Sequence, residues 1–180
     1  FHSAHQSAMA NGTIGLRNVN WADHFAYAVS YNQRRDEIQH GVRIGNRAVG
    51  EAEVQRNSLI QSLRYGKAFF DSKLQLDYFG SYSTADESVR DSTTNVYDWF
   101  GDIVGFDSQG KEVLALPSER EGTTATQLHR VNLAYVFSPA HKIKLSSFLI
   151  DQEVVGSDPL APRIGDVDPN TIPSFLTRSI

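Results

Sequence analysis

Residues 131–150, VNLAYVFSPAHKIKLSSFLI, contain two runs of alternating apolar residues on either side of the short link SPAHK. One face of the first run carries Val131, Leu133, Tyr135 and Phe137, and one face of the second carries Ile143, Leu145, Ser147 and Leu149. A period of two predicts strands, and a short link between two strands predicts an antiparallel hairpin. This hairpin constrains the fold strongly, because its apolar face must contact either a protein core or lipid.

The same pattern occurs twice more, so the sequence predicts hairpins at about 13–37, 58–82 and 129–150. Short turns are expected near 22–24, 66–72 and 138–141, and long polar loops at about 33–57, 83–126 and 151–175. We also expect strand residues to extend into the loops, as in RRDEIQHGVRI at 34–44, and a further strand at SFLTRSI. Short turns at one end and long loops at the other are typical of outer-membrane barrels.

The composition restricts the classes of protein that are possible. The 180 residues are 40% hydrophobic and 21% charged with a net charge of −4, which favours one folded domain and no nucleic-acid surface. There is no cysteine, which excludes disulfides and a thiol nucleophile. The longest apolar runs are as short as VLAL at 113–116, far below the ~18 residues of a transmembrane helix.

The faces opposite the apolar ones also bear on the choice between lipid and water. They carry several small side chains, among them Ala26, Ala28, Ser30, Ser62 and Ser146. A soluble sandwich would expose bulky charged residues there, whereas small residues suit a crowded barrel interior. Aromatic residues lie near the expected turns, as in the girdles of membrane barrels: Trp21, Phe25, Phe69, Phe70 and Phe137.

Several stretches resemble the barrel domain of TonB-dependent outer-membrane receptors. RVNLAYVFSPAHKIKLSSFLI is similar to a recurrent hairpin of that family, and HFAYAVSYNQRRDE is similar to its return strands. SKLQLDYFGSYSTADES looks like an outward strand that ends in a polar loop, and DWFGDIVGFDSQGKEVLALP is weakly similar to a stretch of some members. The resemblance covers most of the chain in pattern and the hairpin at 130–150 in detail.

The resemblance implies an all-β chain: an antiparallel up-and-down meander of about six strands, part of a larger transmembrane β-barrel. It implies the outer membrane of a Gram-negative bacterium and import of a scarce solute, such as a siderophore, a cobalamin or an oligosaccharide. The expected partners are the lipid bilayer, that solute, and an energy-coupling complex reached through a plug region. Neither the plug domain nor a terminal aromatic strand is recognisable in residues 1–180, so the resemblance implies an internal barrel segment without enzymatic activity or a cofactor.

The candidate ligand-binding residues lie in the stretch NVYDWFGDIVGFD at 95–107. They are Tyr97, Asp98, Trp99, Phe100 and Phe106. Exposed aromatic rings and carboxylates can hold a ligand by stacking and hydrogen bonding. The alternative interpretation is that this loop only packs on itself, as a hairpin that turns at DSQGK.

Other candidate sites are weaker. Asp158, Asp166, Asp168 and Asn170 could supply oxygen ligands to calcium, but their spacing does not match a calcium loop and turns explain them. The six histidines are scattered, which gives no reason to expect a metal site. No catalytic constellation is recognisable.

Two alternatives come from other classes of protein. One is a small complete barrel of about eight strands with an adhesive or structural role, and the other is a soluble β-sandwich that binds carbohydrate through the Trp99 loop. The apolar faces discriminate between them and the receptor segment. A sandwich requires a shared core that contains Phe25, Tyr27, Val29, Leu74, Leu76, Leu133 and Leu145.

Overall fold

The computed structural model describes residues 4–38, 48–114, 116–161 and, for the backbone alone, 172–179. These residues contain the strands β1 (His5–Val19), β2 (Ala22–Glu37), β3 (Glu53–Phe69), β4 (Leu74–Asp91), β5 (Asn95–Tyr97), β6 (Ile103–Phe106), β7 (Ser118–Ser138), β8 (His141–Ser157) and β9 (Ile172–Ser179). Seven of them form one sheet in the order β1-β2-β3-β4-β7-β8-β9, and every pair is antiparallel. The predicted all-β meander is therefore confirmed.

The first turn lies at residues 20–21, so the prediction of 22–24 was wrong. Val19 of β1 pairs with Ala22 of β2, which leaves a two-residue link. Asp23 lies within β2, and its carboxylate accepts hydrogen bonds from the adjacent strand β3. The donors are the Ala68 N–H at 2.7 Å and Lys67 Nζ at 3.1 Å.

The second turn lies at residues 70–73, later than the prediction of 66–72. Phe69 pairs with Leu74, and Gly66 lies inside β3 opposite Asp77. Glycine fits this strand position because the His24 ring covers it: a Cβ at Gly66 would lie 1.9 Å from His24 Cε1. The third turn is at Pro139 and Ala140, within the predicted 138–141.

The strands extend much further into the predicted loops than the alternating patterns indicate. The connections span 38–52, 92–117 and 158–171, in place of the predicted 33–57, 83–126 and 151–175. Cross-strand ion pairs hold the polar strand ends together, since Arg35 pairs with Glu53 at 2.5 Å and Arg56 with Glu87 at 2.6 Å. Such charged ends lack the apolar period on which the sequence prediction depended.

All seven apolar residues that discriminate between the alternatives lie on one face of the large sheet. The pairing register places them in continuous rows, in which Phe25 pairs with Tyr65, Tyr65 with Tyr78, and Leu76 with Leu133. We call this the apolar face. Its exposed side chains include Ile14, Leu16, Tyr31, Tyr82, Tyr135, Ile143 and Leu145.

No second layer covers the apolar face within the described residues, because each strand of the large sheet contacts only its sheet neighbours. Leu145 is 61% exposed and Ile143 is 59% exposed. The shared core of a β-sandwich is therefore not present in the described part of the chain. The sheet is also open, since β1 and β9 do not pair with each other there.

The opposite face of the sheet, which we call the polar face, carries the small residues noted in the sequence. Ala26 pairs with Arg64 and Ala28 with Ser62 in neighbouring strands. Lys144 and Ser146 of β8 lie on this face as well, since they alternate with Leu145. The polar face also carries Ile60, Phe79 and Phe148, and the apolar face carries Gln61, Gln127 and His129, so the two faces differ in degree.

Aromatic residues gather at the end of the sheet that carries the short turns. The Trp21 ring meets Phe25 edge-on at 5.2 Å and is stacked with Tyr65 at 6.4 Å. At the third turn, the rings of Tyr135 and Phe137 meet at 4.6 Å. Phe70 in the second turn is 72% exposed.

Candidate functional site

The connections after β2, β4 and β8 leave and re-enter the sheet at the end opposite the short turns. Their described parts, residues 48–52, 92–114, 116–117 and 158–161, form what we call the loop platform. Asp91, at the end of β4 beneath the loop platform, is the most buried charged side chain among the described residues, with 1% exposure. Its carboxylate accepts three hydrogen bonds, from the N–H groups of Glu112 at 2.6 Å, Val113 at 2.9 Å and Leu114 at 2.6 Å. These bonds fix the path of the chain after β6.

A second carboxylate joins two connections in the same way. Glu112 accepts hydrogen bonds at 2.8 Å from the consecutive N–H groups of Gly50, Glu51 and Ala52. Hydrogen bonds from an N–H group to a charged acceptor contribute about 1.5–3 kcal/mol each. Asp91 therefore holds Glu112, and Glu112 holds residues 50–52, so that the connection after β2 is tied to β4 through two carboxylates.

Tyr97, the first predicted ligand-binding residue, lies in the base of the loop platform. Its hydroxyl donates a hydrogen bond to Glu51 Oε1, which also accepts one from Asn95 Nδ2 at 2.9 Å. The hydrogen bond from Tyr97 lowers the pKa of Glu51, and the hydrogen bond to Glu51 raises the pKa of Tyr97. Gly50 is required beside this ring, since a Cβ there would lie 2.5 Å from Tyr97 Cδ2.

Asp98, the second predicted residue, forms the turn between β5 and β6. Its Oδ1 accepts hydrogen bonds from the N–H groups of Phe100 at 2.8 Å and Asp102 at 3.0 Å. Gly101 has a φ of 93°, a conformation that favours glycine. The hairpin therefore turns at 98–102, and the sequence interpretation of a hairpin turning at DSQGK was wrong. That stretch forms a separate turn, in which the Gly110 N–H donates to the Asp107 carbonyl at 3.1 Å.

The remaining predicted residues project from the loop platform. Trp99 is 51% exposed, Phe100 is 91% exposed and Phe106 is 80% exposed. Ile103 and Val104 of β6 are exposed beside them. We call these five residues the aromatic tip. Its exposure disagrees with the interpretation that the loop only packs on itself.

Sequence reasoning missed Ile103 and Val104 as members of the aromatic tip. Their apolar character was assigned to internal packing, which is the ordinary fate of such residues. In the structure β5 and β6 pair with each other and with no other strand. Short apolar strands between two turns were the available signal, because a two-stranded sheet without a covering layer exposes both faces.

Asp158 anchors the third connection to the start of β7. Its carboxylate accepts hydrogen bonds from Ser118 Oγ at 2.7 Å and from the N–H groups of Glu119 and Leu160 at 3.1 Å. Burial acts to raise the pKa of Asp158, but these hydrogen bonds hold it below its ordinary value. Asp158 therefore caps a turn. The other calcium candidates, Asp166, Asp168 and Asn170, lie outside the described residues.

The aromatic tip presents exposed rings and apolar side chains at the surface of the loop platform. Exposed rings offer stacking surfaces, and the carboxylates beneath them already accept backbone N–H groups. Among the described residues, no group of three or more His, Cys, Asp or Glu side chains is placed to bind a metal ion. No helix long and apolar enough to cross a membrane occurs in the part of the chain that the structure describes.

Comparisons with known proteins do not assign this chain to a family. No family model, no curated protein and no solved structure matches it.

Proposed function

We propose that the chain is a wall segment of a TonB-dependent outer-membrane receptor, with its short turns in the periplasm and its loop platform outside the cell. The observation that carries the proposal is the uncovered apolar face of a seven-stranded antiparallel meander. In water such a face would have to be covered by other apolar groups, whereas in a bilayer it contacts lipid.

The positions of the apolar residues shift toward the short turns from β2 to β8, which supports strands that are tilted as in a barrel wall. Residues that pair across neighbouring strands form rows that cross the sheet. The row that contains Val29 in β2 contains Gln127 in β7 and Asp151 in β8. The apolar positions of β7 and β8, such as Leu133 and Leu145, lie nearer the short turns. Strands of barrels are tilted by about 35–45°, so a level band of lipid contact crosses the pairing rows obliquely.

The open edges of the sheet favour a segment of a large barrel over a small complete one. Six or seven strands cannot close around a lumen while β1 and β9 do not pair with each other. The outer edges of these two strands would then be unpaired, which is unfavourable in lipid. Further strands of the same receptor would complete the wall. The plug region and the energy-coupling complex belong to that proposal as its expected partners.

The aromatic tip is the proposed contact for the imported solute. Trp99, Phe100 and Phe106 present their rings above a platform that is fixed by carboxylate–amide hydrogen bonds. Rings of this kind stack on a siderophore, a cobalamin or the apolar faces of a sugar. A rigid base lowers the entropic cost of ordering the rings on binding.

Site-directed labelling of the protein that carries this chain tests the proposal. The sequence 1–180 has no cysteine, so Ser108→Cys and Ala140→Cys each introduce a single thiol into it. Both positions are exposed, one in the loop platform and one in the third turn. We expect a membrane-impermeant maleimide to label Ser108→Cys in intact Gram-negative cells, and Ala140→Cys only after the outer membrane is permeabilised.

The opposite labelling pattern, or equal labelling of both variants in a soluble fraction, would overturn the proposal. A soluble fraction that binds oligosaccharide through Trp99 would instead support the carbohydrate-binding module. A Ser108→Ala variant controls for labelling elsewhere in the protein.

A further inference from the structure

A cavity of about 620 Å³ lies on the polar face, at the part of the sheet that is next to the loop platform. Small side chains form its floor, since Ser58, Ala85 and Thr124 lie in one row of paired residues and Gly122 lies in the next. A Cβ at Gly122 would meet only the Val155 carbonyl, at 3.6 Å, so the space above this glycine is open. The volume is within the range of about 300–1,000 Å³ that is usual for small-molecule sites.

Three arginines line this cavity, and each of them contacts a carboxylate. Arg56 Nε lies 2.6 Å from one carboxylate oxygen of Glu87, and Arg120 Nη2 lies 3.0 Å from the other. Arg34, which pairs with Arg56 across β2 and β3, contacts Asp36 at 2.5 Å. Like charges directly opposite each other in a sheet repel, so these arginines depend on the carboxylates beside them.

The other polar groups leave the cavity without an excess of charge. Asp86 also lines it, so that together with Asp36 and Glu87 three carboxylates match the three arginines in number. The uncharged polar groups include the amide of Asn32 and the hydroxyl of Thr124, which both donate and accept hydrogen bonds. A solute in the cavity would therefore meet donors and acceptors side by side.

The loop platform beside the cavity is acidic. Among its described residues a single basic side chain, that of Lys111, stands against six acidic ones: Glu51, Asp98, Asp102, Asp107, Glu112 and Asp158. A negative surface repels anions and does not hinder an uncharged solute. The exposed rings of the aromatic tip offer such a solute an apolar contact.

We propose that this cavity is a subsite for a neutral oligosaccharide, and that Glu87 sets the preference for an uncharged solute by compensating Arg56 and Arg120. The inference rests on the proposed function and deepens it, because it selects one of the solute classes named there. A sugar hydroxyl donates to the Glu87 carboxylate or accepts from a guanidinium group without displacing either. An anionic solute would have to compete with Glu87 for the same two arginines.

Glu87→Gln in the complete protein tests the role of Glu87, because the amide keeps the size of the side chain and removes the charge that compensates two arginines. Binding is measured in detergent on an array of neutral and uronic-acid oligosaccharides of equal length. We expect wild type to bind at least one neutral oligosaccharide in preference to every uronic-acid one. The variant should bind the uronic-acid oligosaccharides at least about tenfold more tightly than wild type does.

Glu121→Gln is the matched control, since it also removes one negative charge but lies on the opposite face of the sheet. It should keep the wild-type preference. A double variant, Arg56→Gln with Glu87→Gln, has the wild-type net charge and leaves Arg120 without the Glu87 carboxylate. The gain for uronic-acid oligosaccharides should persist there in reduced form, which keeps the test valid if the single variant does not fold.

Three results would overturn the inference: binding of no neutral oligosaccharide by wild type, a wild-type preference for uronic acids, or an unchanged preference in both Glu87 variants. Tighter binding of a ferric catecholate or of cyanocobalamin than of any oligosaccharide would assign the solute to another class and contradict it as well. Labelling of Ser108→Cys in intact cells is measured for the same variants. If that labelling is external and the oligosaccharides do not bind, the subsite fails while the proposed function stands; if the labelling fails in wild type, the proposed function itself fails.

Discussion

The side chains of the loop platform differ from those of the large sheet in the contacts that they make within the described residues. In the loop platform, the carboxylates of Glu112 and Asp158, like that of Asp91 beneath them, each accept three hydrogen bonds from neighbouring groups. On the sheet, Leu145 is 61% exposed on the apolar face, which no second layer covers within the described residues. The carboxylates of the loop platform find their partners within the described chain, whereas the apolar side chains of the sheet do not.

This difference explains why loops that carry few buried apolar residues can still hold a defined shape. The buried apolar side chains of the described chain are few: Ala22, Val49, Ala52 and Val89. Three of them lie in or beside the loop platform. Hydrogen bonds to charged acceptors therefore carry much of the local stability there. Each prediction below separates this internal stability from the external contacts of the sheet.

The largest effect on the loop platform is expected from Asp91→Asn. The amide retains the size of the side chain but loses the charge, and its NH₂ group would face N–H groups that now donate to a buried carboxylate. We expect the free energy of local opening of residues 112–114 to fall by about 3 kcal/mol. Amide hydrogen exchange measures it. Asp71→Asn, in the second turn, is the control, and equal protection of residues 112–114 in both variants would contradict the role of Asp91.

Glu112→Gln is expected to have the next largest effect, because it removes the charge that holds residues 50–52. The local opening free energy of these residues should fall by about 1–2 kcal/mol, since Glu112 is only half-buried. Hydrogen exchange of Gly50, Glu51 and Ala52 measures the change. Glu121→Gln, an exposed change near the start of β7, should leave their exchange unaltered, and a similar loss in that control would refute the assignment.

The Glu51–Tyr97 hydrogen bond is expected to give a smaller, pH-dependent effect. The lowered pKa of Glu51 means that its stabilisation is present above the ordinary pKa of 4.5 and is lost as the pH falls through the folded-state pKa. The raised pKa of Tyr97 means that its contribution is present below pH 10.0 and is lost as the pH rises through its folded-state value.

Tyr97→Phe should abolish the alkaline dependence and weaken the acid one, because Asn95 still donates to Glu51. We expect a cost of about 0.5 kcal/mol at neutral pH, since Glu51 is exposed and the interaction is screened. Hydrogen exchange of residue 51 between pH 4 and 7 measures the acid limb, with amide exchange rates corrected for pH. The same acid-dependent loosening in wild type and Tyr97→Phe would show that another group causes it.

Phe100→Ala should change the stability of the loop platform least, by less than about 0.5 kcal/mol, because the ring is 91% exposed. Its effect should appear in solute binding, where loss of one stacked ring weakens affinity by about fivefold. Titration of wild type and variant with the imported solute measures it. Phe70→Ala, also exposed (72%) but at the short turns, is the matched control, and equal weakening in both variants would remove the aromatic tip from the site.

The sequence was sufficient to predict the parts of the fold that depend on alternation. Tyr27, Leu63 and Leu133 lie on the expected face because successive residues of a strand point to opposite sides. The end of β2 at Arg34, Arg35 and Asp36 was predicted to extend as strand into a polar loop, and the structure confirms it. No apolar period marks this end; ion pairs across strands, such as Arg35 with Glu53, hold it instead.

The contacts that shape the loop platform could not be predicted in the same way. Glu112 bonds to residues 50–52, which lie in a different connection of the sheet, and no local pattern marks that pairing. The turn at 98–102 depends on which N–H groups the Asp98 carboxylate accepts. A sequence shows that aspartate and glycine are present there, but not which of two adjacent turn signals closes the hairpin. The exposure of Phe100 follows from that choice.

The contact made by the apolar face is measured most directly with two neighbouring residues that point to opposite faces. Leu145→Cys lies on the apolar face and Ser146→Cys on the polar face, both exposed in β8. Each variant of the complete protein, reconstituted in vesicles, is labelled with an environment-sensitive fluorophore and exposed to brominated lipid. The proposal predicts strong quenching at residue 145 and little at residue 146, and equal quenching at both, or quenching of neither, would contradict it.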